Sequence, residues 1–77
     1  MKVLIIEDED LAVKKLQKTL QSVDANAEVV GITDSIRSSV AWLESNPSPD
    51  LILMDIELAD GQSFEIFDKT EVKSTVI

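Results

Sequence analysis

Apolar positions along this chain fall into two kinds of run, and the two alternate. Val3-Leu4-Ile5-Ile6 and Leu51-Ile52-Leu53-Met54 are short, continuous and aliphatic, the pattern of strands buried on both faces. Glu28 to Thr33 reads as another strand, and Ser74-Thr75-Val76-Ile77 as the start of a fourth. Between the strands the period lengthens. From Glu9 to about Val23, apolar residues at Ala12 or Val13, Leu16, Leu20 and Val23 recur every three or four positions. Lys14, Lys15, Gln17, Lys18 and Gln21 fill the gaps, which is the spacing of an amphipathic helix. Glu9 and Asp10 fall in its first turn, where the helix dipole favours acids. Ile36, Val40 and Leu43 mark the buried face of a second helix with Asp34 or Ser35 as N-cap. Pro47 and Pro49 stop that helix. Leu58-Ala59-Asp60-Gly61 reads as a loop with a turn at Asp60-Gly61. Ser63 to Asp68 reads as a short third helix, with Phe64 and Phe67 inward and Ile66 as a third candidate. Trp42 reads as packing.

Strands alternating with helices in the order β-α-β-α-β-α-β require a parallel sheet with right-handed crossovers, an α/β doubly wound layout. Two of the strands then end in acids. Ile6 is followed by Glu7-Asp8, and Met54 by Asp55. Either acid group alone has an ordinary reading, as a strand end or a helix cap. Together they fall at one carboxyl edge, where open parallel sheets bind ligands. Three crowded acids repel one another unless a cation sits among them. Their joint placement points to a divalent metal and a reactive aspartate.

Seventy-seven residues allow one small domain. The chain has no cysteine and no histidine, so any metal must be held by oxygen, which favours magnesium, calcium or manganese. Acids outnumber bases 15 to 7, for a net charge of -8. That balance argues against a nucleic-acid-binding face. The only apolar run near the start is too short for a signal-peptide core or a membrane span, so a soluble, cytoplasmic protein without membrane contact is expected. A glycine-rich phosphate loop is missing, which disfavours a nucleotide-binding enzyme.

Two segments carry a resemblance. Lys2-Val3-Leu4-Ile5-Ile6-Glu7-Asp8-Glu9 and Pro49-Asp50-Leu51-Ile52-Leu53-Met54-Asp55-Ile56 are similar to the receiver domains of two-component response regulators. Leu58 to Phe67 and Ala41-Trp42-Leu43-Glu44 resemble the subgroup with a LytTR-type DNA-binding output. The resemblance implies a flavodoxin-like fold with strand order 2-1-3-4. It implies that Asp55 is the phosphoacceptor, that Asp8 and Asp55 ligate Mg²⁺ directly, that Glu57 ligates through its backbone carbonyl, and that Glu7 acts through water. A sensor histidine kinase is the implied donor, with Leu11 to Lys15 as a docking segment. DNA is implied as a target only through a C-terminal domain outside this chain.

The family also carries a Ser or Thr at the end of its fourth strand and a Lys at the end of its fifth. Thr75 starts its strand, and neither Lys69 nor Lys73 takes the lysine role. Residues 1–77 are therefore expected to be the N-terminal part of a receiver, cut after the start of the fourth strand and prone to self-association through an open sheet edge. The alternative is a phosphorylation-incompetent receiver fragment that acts only in association. A third reading, an aspartate-nucleophile phosphohydrolase of the haloacid-dehalogenase type, requires a second Asp and a Thr where this chain has Glu57 and Ala59.

Overall fold

The computed structural model describes all residues, 1–77. Strand β1 (Lys2–Ile6) leads into helix α1 (Asp10–Val23), then β2 (Glu28–Thr33), α2 (Ile36–Ser45) and β3 (Leu51–Met54). A small hairpin, β4 (Glu57–Leu58) and β5 (Gly61–Gln62), follows. A 3₁₀ turn at Ser63–Glu65 runs into the one-turn α3 (Ile66–Lys69), and β6 (Thr75–Val76) completes the chain. The main sheet is parallel in the order β2-β1-β3-β6. The expected order 2-1-3-4 holds, with β6 as the sheet's fourth strand because the hairpin intervenes.

The continuous apolar run of β1 is explained by its place at the centre of the sheet. Successive side chains of a strand point to opposite faces. Leu4 and Ile6 join Ile36, Ile52, Leu58 and Ile66 on one side, while Val3 and Ile5 join Val13 and Leu20 of α1 on the other. Val3, Leu4, Ile5 and Ile6 are all fully buried, each contributing about 1.5–3 kcal/mol of apolar transfer. Helix α1 thus covers one face, and α2, α3 and the hairpin cover the other.

The short elements between β3 and β6 depart from the sequence-based expectation. The loop at Leu58-Ala59-Asp60-Gly61 is the turn of an antiparallel hairpin in which Glu57 faces Gln62 and Leu58 faces Gly61. Phe64 and Phe67 do not point inward; they are 55% and 46% exposed. Ile66, the third inward candidate, is buried, and Ser63 is buried with it. The reason is the 3₁₀ turn, which places residues three apart on one face, so Ser63 and Ile66 share the inner side and Phe64 and Phe67 the outer one. Val23, assigned to the buried face of the first helix, is 80% exposed at its last turn.

Helix α2 takes Ser35 as its N-cap. Ser35 Oγ accepts from the Ser38 N–H at 3.0 Å, and Ser38 Oγ accepts from the Ser35 N–H at 3.1 Å, a reciprocal box that satisfies two otherwise free donors. The helix is also tied to β2 from within. Thr33 and Ser39 are both buried, and their hydroxyls lie 2.7 Å apart as a hydrogen-bonded pair. Ser39 Oγ further donates to the Ser35 carbonyl at 2.6 Å.

Candidate functional site

Register places the acids. Ile6 pairs with Thr33 on one side and with Met54 on the other. The ladder continues one step further, with Glu7 N–H donating to the Thr33 carbonyl and Asp55 N–H to the Ile6 carbonyl, each at 2.9 Å. Two parallel strands therefore release their acids at the same level. Carboxylate oxygens of Glu7, Asp8 and Asp55 lie within 4.8 Å of one another. The three residues singled out in the sequence come together as anticipated.

Each acid is held differently. Glu7 is half-buried and folds back on its own loop, its Oε2 accepting from the Asp8 N–H at 2.9 Å and the Glu9 N–H at 3.4 Å. Asp55 Oδ1 accepts from the Ile56 N–H at 2.8 Å. Asp8 and Asp55 are exposed. Burial pushes the Glu7 carboxyl above its usual range, reinforced by the hydrogen bond and the negative charge of Asp55; the Glu9 N–H pulls the other way. The shift has the sign expected of an acid placed among acids. An open groove of ≈ 450 Å³ runs beside the cluster, with Glu7, Asp8, Lys14, Thr33, Asp34 and Ser38 in its lining.

These residues suit a hard divalent cation. The donor set is all oxygen, which matches Mg²⁺. The protein supplies no countercharge at ion-pair distance, since its one ion pair joins Lys2 to Glu28 at 3.2 Å, outside the cluster. Glu57 opens β4 two positions past Asp55, with its side chain exposed. Thr75 pairs with Leu51, at the strand end remote from Asp55, in keeping with its exclusion from a site role.

One acid on the hairpin that follows Asp55 was not singled out in the sequence. Asp60, taken only as half of a turn signal, reaches across to α2. Its Oδ1 accepts from the Ile36 N–H at 2.7 Å and its Oδ2 from the Arg37 N–H at 3.1 Å. The Ile36 N–H holds the Asp60 carboxyl below its usual range against the opposing effect of burial, with help from the Arg37 N–H and the charge of Lys69. An acid before glycine is so common in turns that the pattern gave no sign of a long-range cap.

The comparisons with known proteins agree with this geometry. The response regulator receiver domain model matches residues 3–76. The chain is 35% identical over 66 residues to the sensory transduction protein LytT of Bacillus anthracis, covering 86% of this chain and 26% of that protein. It is 38% identical over 61 residues to the phyllosphere-induced regulator PhyR of Methylorubrum extorquens, covering 79% of this chain and 22% of that protein. Its fold is similar to the crystal structure of the response regulator PhyR from Brucella abortus, with a TM-score of 0.82 at 30% identity over 99% of this chain and 31% of that one. The chain spans about a quarter of the length of the curated relatives it matches. Because the family match runs through every strand that positions the acids, the chain belongs to the response regulator receiver domain family.

Proposed function

We propose that this receiver domain takes a phosphoryl group on Asp55 from a sensor histidine kinase in a Mg²⁺-dependent reaction. The observation that carries the reading is the meeting of Glu7, Asp8 and Asp55 within 4.8 Å with no cationic side chain paired to them. Asp8 and Asp55 would hold the cation directly, the Glu57 backbone carbonyl would add a ligand, and Glu7 would act through water, since its Oε2 is already engaged by two backbone N–H groups. A bound cation neutralises charge on the incoming phosphoryl oxygens, which a carboxylate nucleophile alone repels. Asp55 Oδ1 is fixed by the Ile56 N–H, leaving Oδ2 to attack. A bond forms between Oδ2 and phosphorus as the donor's bond to phosphorus breaks, and the donor departs with that electron pair. Asp55 is an acceptor in this scheme and not a turnover catalyst.

The output is a separate domain. Likeness to LytT supports a LytTR-type DNA-binding domain that reads the phosphorylated state, so DNA is contacted only there. The test uses Mg²⁺ and acetyl phosphate as donor, with intact mass as the readout. Wild type gains one phosphoryl group and Asp55→Asn gains none. An unmodified wild type overturns the proposal and favours the association-only reading, for which the exposed Phe64 and Phe67 are the specific observation. In that event a concentration-dependent mass in solution, abolished by Phe64→Ser with Phe67→Ser, establishes the second reading.

A further inference from the structure

Four N–H groups at the start of a helix lack partners within it. In α2 the N–H groups of Ser35 and Ser38 are satisfied within the helix cap. Those of Ile36 and Arg37 are both satisfied by the single carboxylate of Asp60, which lies 24 residues beyond Ile36. Bidentate, charge-assisted acceptance of this kind fixes geometry as well as adding energy, and the carboxylate complements the positive end of the helix dipole.

The backbone behind Asp60 is bonded step by step to Asp55. Ile56 donates to Asp55 Oδ1 at 2.8 Å, and its carbonyl accepts from the Ser63 N–H at 2.8 Å. Beyond that, Glu57 faces Gln62 and Leu58 faces Gly61. Asp55 is therefore at the base of the hairpin and Asp60 at its tip. The tip sits tightly on α2. Gly61 has φ +142°, and a Cβ there would lie 3.0 Å from Ile36 Cδ1 and 2.7 Å from Glu65 Oε2. The other acid-bearing loop also leads to α2, through the Glu7 bond to Thr33 and the Thr33–Ser39 hydroxyl pair. The two loops that deliver Glu7 and Asp55 are thus joined by the strand ladder below and by the first turn of α2 behind.

We propose that Asp60 is a positioning residue for the acidic site: by mooring the hairpin tip to the first turn of α2, it holds the backbone from Asp55 to Glu57 in its ligating arrangement. The functional part of this inference rests on the metal-dependent reading above; the mooring itself does not. Asp60 touches neither the acids nor the reacting group, and it acts through the hairpin.

The test compares wild type with Asp60→Ala, Asp60→Asn and Ser35→Ala. The serine variant weakens the same helix cap without touching the hairpin. Amide hydrogen exchange is read at Ser63, which closes the hairpin base, and divided by exchange at Ile5 in the central strand, which cancels global stability. Loss of two charge-assisted bonds is expected to raise that ratio about tenfold in Asp60→Ala, with partial recovery in Asp60→Asn and no change in Ser35→Ala. Binding of Mg²⁺ alone, read on the same proteins by isothermal titration calorimetry, weakens in step with the ratio. An unchanged ratio in Asp60→Ala, or an equal rise in Ser35→Ala, overturns the mooring. Should Asp60→Ala fail to fold, Asp60→Asn decides by the same ratio. A wild type that binds no Mg²⁺ overturns the metal-dependent reading, and the exchange ratio still decides the mooring.

Discussion

Gly31 lies directly beneath Trp42: a Cβ on Gly31 would sit 2.5 Å from the indole Nε1 and 2.6 Å from Cε2. The indole is rigid and rests against the main core cluster, so it cannot swing aside without losing packing. Gly31→Ala is expected to destabilise the fold by about 1–3 kcal/mol through overpacking, measured by urea denaturation. Trp42→Leu in the same chain should recover part of the loss. Equal costs for the glycine change with and without the indole would refute the contact as its cause.

The Thr33–Ser39 pair predicts a signature of its own. Ser39→Ala leaves the buried Thr33 hydroxyl without its partner and is expected to cost about 1–3 kcal/mol. Replacing both, with Thr33→Val and Ser39→Ala, removes the unpaired group and should cost less than Ser39→Ala alone. The comparison is a double-mutant cycle by denaturant unfolding.

Charge removal at the cluster should stabilise the metal-free protein. Like charges about 4 Å apart repel by about 1 kcal/mol in water. Asp8→Asn or Asp55→Asn is therefore expected to raise the melting temperature without Mg²⁺, while abolishing the rise that saturating Mg²⁺ gives wild type. Thermal melts with and without the ion read both effects. A lower melting temperature for the metal-free asparagine variants would show that the acids do not repel in the folded state.

Glu7 and Asp60 impose opposite pH dependences. Glu7, faced by Asp8, Asp55 and Lys14, titrates above its ordinary 4.5 in the folded protein. As pH rises from 4.5 through the raised value, the unfolded chain has already lost the proton that the fold retains, so stability falls. Asp60, faced by Arg37, Glu65 and Lys69, titrates below its ordinary 3.8. Its contribution is complete above 3.8 and is lost as pH falls through the depressed value. Thermal melts across this range should show Asp60→Asn flattening the acid limb and Glu7→Gln flattening the decline above 4.5.

What the sequence made legible was whatever depends on periodicity. The buried runs of β1 and β3, the helical stretch from Asp10 and the meeting of Glu7, Asp8 and Asp55 all follow from residue spacing and parallel topology. What it hid depends on local geometry. The 3₁₀ turn before α3 set the buried face on Ser63 and Ile66, so of the three inward candidates Ile66 holds and Phe64 and Phe67 do not. Two-residue strands at Glu57–Leu58 and Gly61–Gln62 are too short for any period to register. The cap from Asp60 joins segments 24 residues apart, which local turn rules do not reach.

The central position of β1 has a cost during folding. Its partner β3 lies far along the chain, with the Lys2 N–H bonded to the Asp50 carboxylate across 48 residues. A translated chain therefore carries four consecutive uncharged aliphatic residues, Val3 to Ile6, before their second neighbour exists. Such a segment is prone to pair with other copies. Lys2 on one side and Glu7-Asp8 on the other flank it with charge, in the manner of gatekeepers that discourage intermolecular stacking. The acids at the strand end thus protect the nascent chain before any site has formed around them.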